Sequence, residues 1–264
     1  MANNSKTTSA MNGNELKAMW KSGKPSIGVW LTGSNQAVAR ILSNVGFDWI
    51  FLDWNYRFNS ETIRNLLLML RDRNTPAIVR VEEIDETLIK RLLDWGATGL
   101  LFPSVNFAAN ARRAVRVCRA SASKERPIVI AQIDDCKGVQ HLDTILKVPG
   151  LDALMIEPHI MSYTFNLMQQ VVDGHVREAI CATINKARAA GMPVGMTWRD
   201  SDEGYAEYVL QGLSWITPSA NIDFLSIKGK LLTIAASNWL TKMRGLVSGR
   251  MGSRASQSYR ILME

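Results

Sequence analysis

Eight short runs rich in branched and aromatic residues recur along this chain, at 26–31, 49–53, 77–81, 99–102, 128–133, 153–156, 194–197 and 214–217. Helical patterns fill the gaps, at 36–44, 60–72, 86–95, 108–120, 139–147, 177–190 and 202–210. Strict strand–helix alternation predicts a parallel sheet covered by helices. Eight such units in about 200 residues predict a closed (β/α)8 TIM barrel. An open doubly wound sheet is the alternative, but no GxGxxG follows any strand to support a dinucleotide site. Gly46, Gly96, Gly150, Gly191 and Gly212 fall where helices should stop, the usual C-terminal use of glycine.

Two pieces fall outside the repeat. Residues 14–22 read as an N-terminal helix, and 221–247 as a long apolar-periodic helical extension with a basic Gly/Ser/Arg tail. The expected organisation is a disordered tail over 1–13, a barrel over 14–227 and a C-terminal extension over 228–264. The apolar stripe Leu225, Leu232, Ala236, Trp239 and Leu240 exceeds what a closed barrel can cover. It predicts a homo-oligomer, a trimer or hexamer.

The 264 residues carry a net charge of +7, but the excess sits at the ends. Residues 1–24 hold four Lys against one Glu, and 228–264 hold seven Lys/Arg against one Glu. The body is slightly acidic, which argues against a nucleic-acid partner. No apolar run is long enough to span a bilayer, and the polar start lacks a signal-peptide core. Cys118, Cys136 and Cys181 are too few and too scattered for a disulfide framework or a metal knuckle, and suit a reducing compartment. The expectation is a cytoplasmic protein acting on a small molecule.

Chemistry in a TIM barrel sits at the carboxyl ends of the strands. That rule selects Trp30, Trp54, Tyr56, Arg80, Gln132, Asp134, Glu157, His159 and Trp198, together with Asp53 and residues 103–106. Arg80 lies in an otherwise apolar strand. Its planar fork suits a carboxylate or enolate oxygen; the competing reading is a structural ion pair with Asp53 or Asp134. Gln132 and Asp134 alternate on one strand and so share a face, where they either orient a substrate or close the barrel with a polar layer. Trp30, Trp54, Tyr56 and Trp198 cluster at strand ends, either as packing beneath loops or as walls of a pocket for a bulky apolar or planar substrate.

Several segments together resemble the HpcH/HpaI aldolase family of the phosphoenolpyruvate/pyruvate barrel superfamily. They are Gly46-Phe-Asp-Trp-Ile-Phe-Leu-Asp53, Ile78-Val-Arg-Val81, Leu93-Asp-Trp-Gly-Ala-Thr-Gly99, Pro103-Ser-Val-Asn106, Gln132-Ile-Asp134, Gly138-Val139, Val148-Pro-Gly-Leu-Asp-Ala153 and Gly191-Met-Pro-Val-Gly195. The resemblance implies a hexameric, divalent-metal enzyme that makes or breaks a carbon–carbon bond beside a 2-oxo acid. It also exposes departures. The family's Asp-x-Glu-His after strand 2 is here Asp53-Trp-Asn-Tyr56, so a tyrosine replaces the catalytic base. The metal-binding glutamate of strand 5 is Asp134. The family's Gly-Pro-x-Asp-Leu-Ser is Glu157-Pro-His-Ile-Met-Ser162, so Ile160 stands at the second ligand position.

A hard divalent ion needs several oxygen ligands, so this set predicts no resident cofactor. Magnesium or manganese remains the alternative, held by Asp134 and Glu157, with His159 as another candidate. Tyr56, a poor base at neutral pH, is suited to donate a hydrogen bond to a developing oxyanion. The expected catalytic set is Arg80, Tyr56 and Asp134. Trp30, Trp54, Gln132, Glu157, His159, Ile160 and Trp198 are the expected substrate contacts. The expected function is carbon–carbon bond formation or cleavage on a carboxylate or 2-oxo/enol substrate with a bulky apolar portion. The alternatives are a metal-independent cyclisation or cycloaddition catalyst in a biosynthetic pathway, a metal aldolase with moved ligands, and a catalytically silent scaffold barrel.

Overall fold

The computed structural model describes residues 11–23, 26–31, 33–54, 59–121, 126–167, 173–198 and 205–218. The chain divides into two compact units, 1–221 and 222–264. The second lies outside the described residues, with the expected domain boundary at 227, the C-terminal extension and the stripe that predicts an oligomer.

In chain order the elements are α1 (Gly13–Lys21), β1 (Ser26–Leu31), α2 (Gln36–Val45), β2 (Trp49–Asp53), α3 (Ser60–Asp72), β3 (Ala77–Arg80), α4 (Glu86–Asp94), β4 (Gly99–Phe102) and α5 (Ala108–Ser121). Then follow β5 (Ile128–Ile133), α6 (Cys136–Gln140), α7 (Leu142–Ile145), β6 (Ala153–Ile156), α8 (Pro158–Leu167), α9 (Asp173–Ala189), β7 (Val194–Trp198), α10 (Tyr205–Gln211) and β8 (Trp215–Pro218). The eight strands form a closed parallel barrel in sequence order, with β1 paired to β8. None of the described helices is long and apolar enough to cross a membrane.

Three local expectations are corrected. The helix expected over 139–147 is two short ones, separated at His141, whose backbone (φ −99°, ψ 12°) leaves the helical region. Residues 158–167, where no helix was expected, form α8. Pro158 opens that helix, a position where its missing N–H costs nothing. The N-terminal helix starts at Gly13. Asn12 caps it through a reciprocal pair of bonds with Glu15, the capping box that satisfies two orphan donors.

Positions 49 and 51, 128 and 130, and 153 and 155 alternate onto the inner face of the sheet and pack in one cluster with Trp30, Ile78, Leu101 and Trp215. Leu16 and Trp20 of α1 join that cluster. Trp20 stacks on Trp215 at 4.2 Å and meets Trp49 edge-on at 5.7 Å. Ser26 Oγ accepts from both Trp20 Nε1 (2.9 Å) and Trp49 Nε1 (3.4 Å). Ser26, Trp49 and Trp215 begin their strands, so α1 packs against the amino ends of the barrel. Room for these indoles comes from residues without side chains. A Cβ at Gly28 would run into the Trp49 ring, and one at Gly195 into the Trp215 ring.

Cys118 on α5 is fully buried. Burial first, and then the negative charge of Asp152, push its thiol up to about 12. Asp152 is itself fixed, accepting from Val129 N at 3.0 Å and pairing with Arg126 at 3.2 Å. An unfolded thiol ionises near 9, whereas the folded one stays neutral well above that. Stability contributed at this site is therefore lost as pH rises from about 9 towards 12. Urea titrations across that range should show wild type losing more stability than Cys118→Ala. Equal losses in the two proteins would contradict the assignment.

Candidate active site

The carboxyl ends of the strands carry two facing sets of polar groups. On β2 and β3, Asp53 and Arg80 are partners in register. They form a two-pronged ion pair, Arg80 Nε to Asp53 Oδ1 at 2.7 Å and Nη2 to Oδ2 at 3.0 Å. Arg80 keeps 27% of its side chain exposed and Asp53 13%, so the pair lines an accessible mouth. The Arg80 guanidinium carbon lies 5.6 Å from the centre of the Trp30 ring, within cation–π range. Of the two readings of Arg80, the ion pair with Asp53 is present. Among the described residues this pair uses Nε and one N–H of Nη2, which leaves Nη1 and the second N–H of Nη2 as donors that can meet a substrate oxygen.

On β5–β8 the groups are acceptors and hydroxyls. Gln132 and Asp134 are both buried, and Gln132 Nε2 donates to Asp134 Oδ2 at 2.8 Å. Ser104 gives its backbone N–H (3.1 Å) and hydroxyl (3.4 Å) to the same oxygen. Ser104 holds φ at 51°, a left-handed conformation that a non-glycine residue adopts at a cost. Burial raises the Asp134 carboxyl above its ordinary range, and the bonds from Ser104 and Gln132 offset only part of that. Asp134 Oδ1 and Gln132 Oε1 have no hydrogen-bond partner among the described residues. Glu157 directly follows β6 and is buried; Thr197 Oγ1 on β7 donates to its Oε2 at 2.7 Å. Thr197 is in register with Thr217 of β8, whose buried hydroxyl has no partner among the described residues.

The structure thus brings Arg80, Gln132, Asp134 and Glu157 to one end of the barrel. Trp30 belongs to the barrel core rather than to a rim wall: it is 6% exposed and stacks on Phe51 at 4.4 Å. Trp54 is half-buried just past β2. His159 and Ile160 are exposed on the first turn of α8, not buried beside Asp134. Tyr56 and the Trp198 side chain lie outside the described residues. The selection by strand ends assigned no role to Ser104, Thr197 or Thr217. Alternation along β7 and β8 was the signal, since it puts 195 with 197 and 215 with 217 on the inner face.

The divalent ion implied by the resemblance fits these residues poorly. Among those described, no three His, Cys, Asp or Glu gather around one point. Ile160 supplies no oxygen. Asp134 Oδ2 already accepts three bonds, from Gln132 Nε2 and from the Ser104 N–H and hydroxyl, which leaves Oδ1 as its open oxygen where a hard cation needs several.

A polar mouth at the carboxyl ends of a (β/α)8 barrel, with an arginine and buried carboxylates, is where this fold places an enzyme's active site. Residues 26–212 match the family model described as HpcH/HpaI aldolase/citrate lyase, and the chain belongs to that family. It is 26% identical over 253 residues to a hydroxypyruvate/pyruvate aldolase of Roseobacter denitrificans, covering 86% of this chain and 97% of that one. It is 31% identical over 209 residues to a 4-hydroxy-2-oxo-heptane-1,7-dioate aldolase of Shigella sonnei, covering 69% and 80%. Among solved structures, a family member from Burkholderia cenocepacia superposes with a TM-score of 0.71 at 23% identity, over 88% of this chain and 99% of that one. Macrophomate synthase superposes with a TM-score of 0.71 at 21% identity, over 87% and 90%. These structural likenesses show the shared fold.

Proposed function

We propose that this lyase-like enzyme makes or breaks a carbon–carbon bond next to a 2-oxo or enol carboxylate. The observation that carries the reading is the Arg80–Asp53 pair at the mouth. It presents a rigidly held guanidinium opposite buried carboxylates, the arrangement needed to hold an enolate oxygen while a proton moves elsewhere. The names of the aldolase relatives bring a 2-oxo acid to this chain as substrate class. Arg80 anchors the carboxylate or enolate oxygen. Tyr56 donates to the reacting oxygen, and Gln132 with Asp134 orients the substrate. Trp54 provides apolar surface for a larger substituent. A silent scaffold would have no use for buried, partnerless polar atoms, which cost free energy unless a ligand takes them up.

Metal dependence is weakened in this reading, because one carboxylate ligand is replaced by isoleucine and ligand charge and number set hard-cation affinity. Aldol turnover of the purified enzyme should stay within about twofold after chelator treatment, whereas Tyr56→Phe should lower it by at least about tenfold, the loss of one oxyanion-directed hydrogen bond. Complete loss with chelator, restored by magnesium or manganese, would refute the first expectation and return Asp134 and Glu157 to the role of ligands.

A further inference from the structure

Glu157 is absent from the pattern that the family resemblance supplies, where that position is glycine. Its surroundings are nevertheless built. The strand before it faces Ala153 and Met155 into the barrel, and alternation carries position 157 to the same face. Its backbone is held from both sides: its N–H donates to Ile133 O at 3.4 Å, and its carbonyl accepts from Met161 N at 3.0 Å in the first turn of α8. Its side chain is 8% exposed, and Thr197, 5% exposed, fixes the carboxylate through the 2.7 Å bond. The result is a carboxylate held in one place at the barrel mouth, where this fold does its chemistry.

We propose that Glu157 is the proton-transfer carboxylate of this site and that Thr197 positions it. The proposal rests on the 2-oxo acid reading above. In the enolising step, the C–H bond beside the substrate carbonyl breaks and its electron pair becomes the carbon–carbon double bond of the enolate. The carbonyl π pair moves onto the oxygen facing Arg80, and the proton goes to Glu157. In the bond-forming direction, the enolate carbon attacks an aldehyde carbonyl, and Glu157 returns the proton to the new alkoxide oxygen. Arg80 on β3 and Glu157 after β6 stand three strands apart around the barrel mouth, so the developing oxyanion and the proton are handled by different walls. The residue replaced by Tyr56 therefore need not have left the enzyme without a base.

Pyruvate is the probe. Exchange of its methyl protons in D2O, followed by proton NMR with the full-length enzyme, reads proton transfer alone. Quenching of tryptophan fluorescence reads pyruvate binding. Glu157→Gln should lower the exchange rate by about 100-fold or more, within the usual contribution of a positioned acid–base group, with binding changed by less than about threefold. Thr197→Val should lower kcat for exchange about tenfold at unchanged KM, and Thr197→Ser should restore it, because only the hydroxyl positions the carboxylate. Near-wild-type exchange in a Glu157→Gln protein that binds pyruvate overturns the proposal, as does a wild type that binds without exchanging. If Glu157→Gln fails to fold, equal rates for the Val and Ser variants of Thr197 overturn it. A wild type that neither binds nor exchanges pyruvate overturns the substrate reading first, and the proposal with it.

Discussion

Arg80→Ala should lower kcat/KM for carbon–carbon bond cleavage by about 100-fold or more, the range for removing one preorganised oxyanion donor. The same change leaves Asp53 half-buried without its partner, which costs stability on the order of 1–2 kcal/mol for a pair that solvent partly screens. The two effects separate in the double variant Arg80→Ala/Asp53→Ala. Its melting temperature should recover, because no uncompensated charge remains, while its activity should not. If activity returned along with stability, Arg80 would be a structural ion-pair partner and nothing more.

Gly195→Val should be the most damaging single change to the fold. The inner face of β7 meets the Trp215 indole at a separation that excludes even a Cβ. Valine would have to drive that ring out of its stack on Trp20. Overpacking of a rigid core costs about 1–3 kcal/mol and occasionally more, and displacement of a stacked indole belongs at the upper end. For a chain of this size that lowers the melting temperature by about 10 °C. Calorimetry on Gly195→Val, and on the double variant with Trp215→Leu, provides the check. The smaller residue at 215 should recover part of the loss, and no recovery would mean that the ring is not the obstacle.

The barrel was legible because its evidence is periodic. Strands at 26–31, 49–53, 99–102, 128–133 and 153–156 in the sequence reading coincide with those in the structure, since each is a short buried run bounded by helix-ending residues such as Gly46, whose φ is 103°. What escaped depended on relations across strands or on one residue with two meanings. The segment after β6 has no clear helical pattern in the sequence, yet Pro158 opens α8, and that helix places His159 and Ile160 on an exposed turn rather than in a pocket wall. Trp30 stands near a strand end, which suggested a rim. Its parity with Phe51 across the β1–β2 register puts it inside instead. The bond from Thr197 to Glu157 joins residues forty positions apart and follows only from knowing that β6 and β7 are neighbours. Family resemblance drew attention to positions 56, 134 and 160, where the residue types change, and left Glu157 only as a candidate ligand or substrate contact, because it carries no role for a carboxylate at a position where the family has glycine.

The indole cluster at the amino ends of the strands has a kinetic implication. Trp20 belongs to the first described helix and Trp215 to the last strand, so their stacking joins segments separated by nearly the whole barrel sequence. Contacts of that span are the slowest to form, since the loop they close carries the largest entropy loss. During synthesis Trp20 can meet Trp49 and Ser26 early, but its stack on Trp215 must wait until β8 has emerged. Chains truncated before β8 should therefore lack the stacking partner of Trp20, leave one face of that ring uncovered and be the species most prone to aggregate.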